Sequence, residues 1–483
     1  MACFKAIPLS DELTDLSPVS AAGPIRSHFR PLFDLSKVGP LLLSLTVVMV
    51  CTTAVHAAEF RLPDDRRKLD AATLNECGLQ IVESRRLILV TDLPLDAVRD
   101  LPPLADALFD ELERQMGQLV PNMAGTDFQV TGFLIDAKER FEKANVLPPE
   151  QFAFRHGRHL GYQFWMNNQT SPYYRRHLIL HEFVHCFMMC EHGMQNIPPL
   201  WFTEGIAEYF ATHQLEKVIS QSRFGILPPT VDGFEGWGRI AEIRDGSSAT
   251  LRNNARSMSL EEVLHPATRS FADESNYAHA WAIVWLMRNH PNLKEPFADF
   301  NRVRTDQDFR TASDKIPADT WKRLAVIWPV FLDSVVEGFD VNRSFPTLGP
   351  EPKPWPKSSG SPSVTQLASD QDWQSSGFVF SRGSTITLKC TGRYAVHDKP
   401  QPWISEPDGI TIEYYLQHPT GRIMAMIVSP DGQFVTSRIR VGSETTITIP
   451  QEYDGELWLQ INDSAAKRAG NSGSTEVRIE AAK

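Results

Sequence analysis

Basic charge is in short supply in this chain. Lys and Arg number 48 against 59 Asp and Glu, a formal net charge of -11 at pH 7. No basic block offers a footprint for a phosphate backbone, which excludes non-specific nucleic-acid binding. Cysteine is scarcer still, six in 483 residues, too few for a disulfide framework in a chain of this size. Apolar character is concentrated near the start, in VGPLLLSLTVVMVCTTAV at 38–55, with Arg26, Arg30 and Lys37 before it and V-H-A-A-E after it. This pattern reads as an export signal cut after Ala57, which sends the protein to the periplasm or outside the cell. The alternative is an uncut signal anchor, because the run approaches the length that spans a bilayer. Cleavage removes Cys3 and Cys51 and leaves Cys77, Cys186, Cys190 and Cys390.

What the chain does have is concentrated between residues 173 and 213. His181, Glu182 and His185 form H-E-x-x-H. On a helix the two histidines share a face and reach one metal ion, while Glu182 stands beside it as a general base. Catalytic zinc takes three protein ligands and keeps one position open. The third is Glu204 in WFTEGIAEYF, separated from His185 by 18 residues. Pro198 and Pro199 break the chain between the two helical runs and let them fold back on each other. The apolar flanks of His181–His185 bury the helix, where uncompensated His and Glu side chains would be costly. Cys186 and Cys190 lie one turn apart among Phe187, Met188 and Met189 and read as small core residues.

HEFVH, the 18-residue gap and the aromatic Glu helix resemble the gluzincin metallopeptidases, and more widely a group of bacterial gluzincin-like proteins. The resemblance covers about 85–335 and is strongest over 175–213. It implies His181, His185 and Glu204 as ligands of one Zn2+, Glu182 as general base and a peptide or protein substrate. It further implies that Glu208, one turn after Glu204, orients a ligand histidine, as carboxylates next to metal ligands do. A Tyr or His downstream of the third ligand stabilises the oxyanion in such enzymes. Tyr277 stands at that place, with His279 as second choice. The glycine-rich acidic motif with which the aminopeptidase branch captures a substrate amine is missing from 150–170, so endo- and exopeptidase action both stay open.

Around this centre the pattern predicts a buried strand at 85–94, helices to about 120, a strand at 127–136 and a short helix after it. A strand over 156–167 leads to the active helix. In the zincins such a strand binds extended substrate backbone. From 215 to 340 the pattern is helical, with a Pro/Gly-rich loop at 225–238, a capping box at Ser259 and Glu262, and an apolar helix over 276–290. Residues 344–363, rich in Pro, Ser and Gly, predict a semi-rigid linker.

Beyond the linker the period changes to two, and six strand candidates imply a β-sandwich. This tail resembles the PA-IL-type galactose-binding lectins in GRYAVHDKPQPW, HPTGRIMAMI and GELWLQIND followed by NSG. There a calcium ion bridges protein and sugar. Asp463 and Asn471 match two ligand positions, Lys467 and Gly470 stand where oxygen ligands are expected, and His397 replaces a tyrosine. An ammonium at the site opposes calcium, so calcium is not expected, while a cell-surface glycan stays a candidate partner.

The expectation is an α+β zincin-like catalytic domain, mostly helical after the active-site helix, followed by an all-β sandwich. Its parts are an export segment (1–57), an α/β part (58–170), a helical zinc-binding part (171–343), a linker (344–363) and the lectin-like sandwich (364–483). The function expected is an exported zinc peptidase. The rival is an inactive zinc-binding scaffold carrying a carbohydrate- or surface-binding sandwich.

Overall fold

The structure, a computed structural model, describes residues 63–149, 154–193, 196–227, 238–245, 258–265, 274–336, 338–347, 351–356 and 362–482. The chain divides into two compact units, Met1–Ala57 and Ala58–Lys483, and the second is described below. The expected export segment, Cys3, Cys51, most of the Pro/Gly-rich loop and residues 348–350 and 357–361 of the expected linker lie outside the described residues. Among the described residues no helix is long and apolar enough to cross a membrane.

The first part runs α1 (Ala71–Glu76), β1 (Gln80–Glu83), β2 (Leu87–Thr91), α2 (Leu101–Met116), β3 (Val130–Ile135), α3 (Lys138–Lys143), β4 (Gly157–Leu160) and β5 (Gln163–Asn167). Its strands form one mixed sheet in the order β1-β2-β3-β5-β4, with β2, β3 and β5 parallel and both edges antiparallel. Alternate residues of β3 face opposite ways. Val130 and Leu134 join the main core under the helices, while Phe133 and Ile135 pack with Phe141 and Trp165 on the other face. The single strand expected over 156–167 is instead a tight hairpin. Gly161 has φ +55°, which only glycine adopts freely. Asp65 braces this turn by accepting from the Tyr162 backbone N–H at 3.0 Å. The turn reverses the chain, so β4 becomes the sheet edge.

The helices are α4 (Pro172–Met189), α5 (Leu200–Ala211), α6 (Arg239–Asp245), α7 (Leu260–Leu264), α8 (Glu274–Asn289), α9 (Asp306–Asp314) and α10 (Ala318–Ser334), with a small pair β6 (His213–Gln214) and β7 (Arg223–Phe224) after α5. Ser171 caps α4 by accepting from the Tyr174 N–H, and Pro172 occupies its first turn. Residues 177–189 of α4 are buried without a break, so the helix is enclosed on every side. Pro198 and Pro199 end the connection, and α5 then folds back along α4. Gly205 lets α5 meet α8 closely: a Cβ there would lie 2.4 Å from the Ala280 carbonyl oxygen. The capping box at Ser259 and Glu262 is formed.

The tail holds β8 (Lys353–Pro354), β9 (Ser363–Ala368), β10 (Gln374–Phe380), β11 (Thr385–Thr391), β12 (Tyr394–Val396), β13 (Trp403–Ser405), β14 (Ile410–Tyr415), β15 (His418–Thr420), β16 (Ile423–Val428), β17 (Ile439–Arg440), β18 (Glu444–Thr448), β19 (Gly455–Ile461) and β20 (Ser474–Ala481). Two sheets, β17-β16-β19-β10-β8 and β18-β11-β20-β9, share one apolar core. All six strand candidates are strands, but β14 pairs with β15 in a separate hairpin. The chain as a whole is α+β with a C-terminal β-rich region.

β16 and β19 are buried on both faces. Their outer face meets α10, where Val326 and Val330 pack with Trp373, Met424, Met426, Val428 and Trp458. Around this seam Asp333 accepts from the Trp373 indole N–H at 2.7 Å and from Arg438 at 2.6 Å, and Arg323 pairs with Glu456 at 2.6 Å. The described residues of the expected linker are docked rather than free. Ser344 and Phe345 are buried, and Lys353–Pro354 pair with Phe378 and Val379. Proline and serine composition does not reveal such docking.

Candidate metal centre

α4 and α5 bring three donor atoms to one point. His181 Nε2 and His185 Nε2 lie 3.0 Å apart, and each is 3.2 Å from Glu204 Oε2. Tetrahedral ligands at 2.0–2.1 Å from a zinc ion stand about 3.3 Å from each other, so the triangle is nearly the size such an ion needs. Both histidines are buried, at 5% and 1% exposure. Burial alone would lower the His181 pKa, but hydrogen bonding and charge from Glu204 and Glu208 outweigh it and raise it to about 10. Burial would raise Glu204; His185 and His181 instead hold it far below the usual carboxylate range. Carboxylates that draw a proton to this point also draw a divalent cation. The residues present fit a metal ion.

Glu208 stands behind the triangle and is 1% exposed. One carboxylate oxygen lies 3.3 Å from His181 Nδ1, the other 3.0 Å from His177 Nε2, and Arg239 donates to both at 3.0 and 3.1 Å. Burial pushes this carboxyl up, yet Arg239 and His177 hold it well below the usual range. Ionised Glu208 can therefore keep the His181 proton on Nδ1 and leave Nε2 free to bind a metal. His177, His181 and Glu208 also gather donor atoms, but Arg239 already supplies a cation there, so this group supports the first cluster.

Glu182 is 5% exposed and points beside the triangle. Its Oε2 accepts from His159 Nδ1 at 3.2 Å. Burial would raise its pKa; the His159 hydrogen bond and the surrounding imidazoles outweigh this and keep it below the usual value. A cleft of about 410 Å³ opens over Glu182 and His181, walled by Arg155, Gly157, Tyr174, Leu178, Glu274 and Tyr277. Tyr277 is half-buried, with its ring centroid 6.2 Å from that of His181. Burial, then the charges of Glu204, Glu208 and Glu182, raise its pKa, so the hydroxyl stays protonated and can donate.

His279 goes elsewhere. Its Nδ1 lies 2.7 Å from the Ser275 carbonyl oxygen and its ring faces Trp328 at 6.2 Å, because position 279 turns away from the cleft when 277 faces it. Cys186 and Cys190 are buried thiols pointing at backbone carbonyls, and Cys77 and Cys390 are unbridged. Three residues at the site escaped the sequence reading. His177 had a usable signal, one turn before His181 on the same face. His159 and Arg239 had none, since their places depend on the hairpin and on α6, whose Arg239 lies 54 residues beyond His185.

In the tail, Asp463 and Asn471 are turned on each other. Asn471 Nδ2 donates to Asp463 Oδ2 at 2.9 Å and to the Ser369 carbonyl at 3.0 Å. Lys467 and His397 both pair with Glu413. Buried Arg468 bonds Asp372 at 2.9 Å and the Asp463 carbonyl at 2.8 Å. An arginine thus ties down the loop that carries Asp463 and Asn471.

No curated protein matches the chain. Solved structures similar to it include the EclA N-terminal domain, a PllA-like lectin, at 14% identity over 25% of this chain and 95% of that one, with a TM-score of 0.20. Another is Aeromonas hydrophila PliG, a periplasmic lysozyme inhibitor of g-type lysozyme, at 11% identity over 27% and 95%, with a TM-score of 0.17. Residues 177–319, which contain His181, His185, Glu204, Glu208, Arg239 and Tyr277, match the family described as Protein of unknown function (DUF1570).

Proposed function

We propose that the chain is an exported zinc-dependent peptidase of gluzincin type. The observation that carries this is the meeting of His181, His185 and Glu204 within 3.0–3.2 Å, with Glu182 and Tyr277 beside them on one cleft. Two imidazoles and a carboxylate are a zinc donor set that leaves one position open. A bound zinc ion supplies Lewis acidity to a substrate carbonyl and to water. Glu182, ionised and within the cleft wall, accepts the proton of the attacking water and returns it to the departing amine. The protonated Tyr277 hydroxyl donates to the oxyanion, an interaction typically worth about 3 kcal/mol. Glu208 and Arg239 hold the His181 ring in its ligating tautomer. The free edge of β4 runs along the cleft through Gly157 and offers backbone pairing to an extended peptide.

The test is metal content by mass spectrometry, followed by cleavage of a peptide library. Purified wild-type protein is expected to carry one equivalent of zinc and His185→Ala none. Glu182→Gln should keep its zinc and lose cleavage by about 100-fold or more, the range of general-base removal. No stoichiometric metal in the wild type would overturn the reading.

A further inference from the structure

The edge strand β4 meets Glu182 at two points. His159 Nδ1 lies 3.2 Å from Glu182 Oε2, and a carboxylate can only accept, so the imidazole donates. Two residues earlier, Gly157 leaves bare backbone against the other oxygen. A Cβ there would stand 2.2 Å from Oε1 and 2.9 Å from Cδ. Residues i and i+2 of a strand face the same way, so both contacts come from the side of β4 that faces α4. The His159 ring packs on its other side, with its Nε2 3.2 Å from Met189 Sδ and its centroid 4.5 Å from that of His185 at 30°. Among the described residues no other group donates a hydrogen bond to the Glu182 carboxylate.

We propose that His159 and Gly157 are positioning residues for Glu182, one orienting the carboxylate by a hydrogen bond and the other by leaving room for it. This rests on the metal-site reading above. His159 acts through Glu182 and binds no metal. Glu182 therefore has its direction set by a different element from the one that carries the metal ligands. Any movement of the β4–β5 hairpin moves the base relative to the ligands.

The test needs no turnover. The full protein is loaded with cobalt(II), and acetohydroxamate affinity is read from the visible absorption of the metal. This ligand carries N–H and O–H groups that seek an acceptor beside the ion. Wild type, Glu182→Gln, His159→Leu, His159→Asn, Gly157→Ala and the double change His159→Leu with Glu182→Gln are compared. All are expected to bind one cobalt. His159→Leu and Gly157→Ala should weaken acetohydroxamate by about 10- to 100-fold, as loss of outer partners does. His159→Asn, which keeps a donor near the Nδ1 position, should recover most of the loss. In the Glu182→Gln background His159→Leu should add nothing, because the two act as one unit. An equal loss in both backgrounds, no loss in either, or loss of cobalt from His159→Leu overturns the proposal while the metal site stands. Absence of cobalt from the wild type overturns the site itself.

Discussion

Glu208 shows how much of the centre depends on single side chains. It is a buried anion with three cationic or proton-donating neighbours, and Arg239 is the strongest of them. Replacing Arg239 with Met leaves a buried charge poorly matched, which typically costs about 3–5 kcal/mol, and loosens the partner of His181, which lowers metal affinity about 10- to 100-fold. Chemical denaturation and competition with a chelator measure the two effects. Adding Glu208→Gln should restore much of the stability and little of the affinity. An Arg239→Met protein as stable as wild type would mean that Glu208 is protonated in the fold. Of these residues the sequence announced His181, Glu182 and His185 by helical spacing and Glu204 by its helix, while Glu208 came with the resemblance. Arg239 and His159 come from elements whose approach depends on tertiary packing, and no local pattern encodes that. For Tyr277 and His279 the resemblance offered both, and the rotation of α8 separates them.

At the level of elements, helices and strands with a strong period were legible and their joints were not. The 156–167 stretch alternates as one strand should, but Gly161 and its brace at Asp65 fold it in two. Another joint follows α8, where buried His290 sits with Nε2 3.2 Å from the Pro346 carbonyl while Nδ1 accepts from the Asn292 N–H. That arrangement requires a neutral ring, and burial pulls its pKa down to about 4. The unfolded chain, at about 6.5, binds the proton more readily. Stability from this group is therefore complete above pH 6.5 and is lost as pH falls toward 4, by up to about 3 kcal/mol. Urea unfolding at pH 7 and pH 4.5 should show a shallower acid dependence in His290→Gln than in wild type; identical slopes would remove His290 from the account.

Across the whole molecule, the β-rich C-terminal region could be read from the change of period near residue 364, apart from the helices before it. The seam between them could not, because Met424, Met426 and Val428 alternate with Ala425 and Ile427 in an unbroken apolar run. Such a run says that both faces of β16 are covered, but not by what. Asp333 anchors the seam, so Asp333→Ala leaves the Trp373 indole N–H and the Nε and Nη2 of Arg438 without this acceptor. Wild type should unfold in a calorimeter as one transition, and the variant should separate into two, the lower one displaced by several degrees. A single unshifted transition in the variant would show that apolar packing alone holds the seam. The seam also determines reach. A free tether of 20 residues would let the tail wander over roughly 25 Å, raising the effective concentration of anything it held across a broad range of distances. Clamped on α10, the tail offers one distance and one angle to the cleft, so under the proposed function a molecule held by the tail would have to meet the cleft in that geometry or gain nothing from being held.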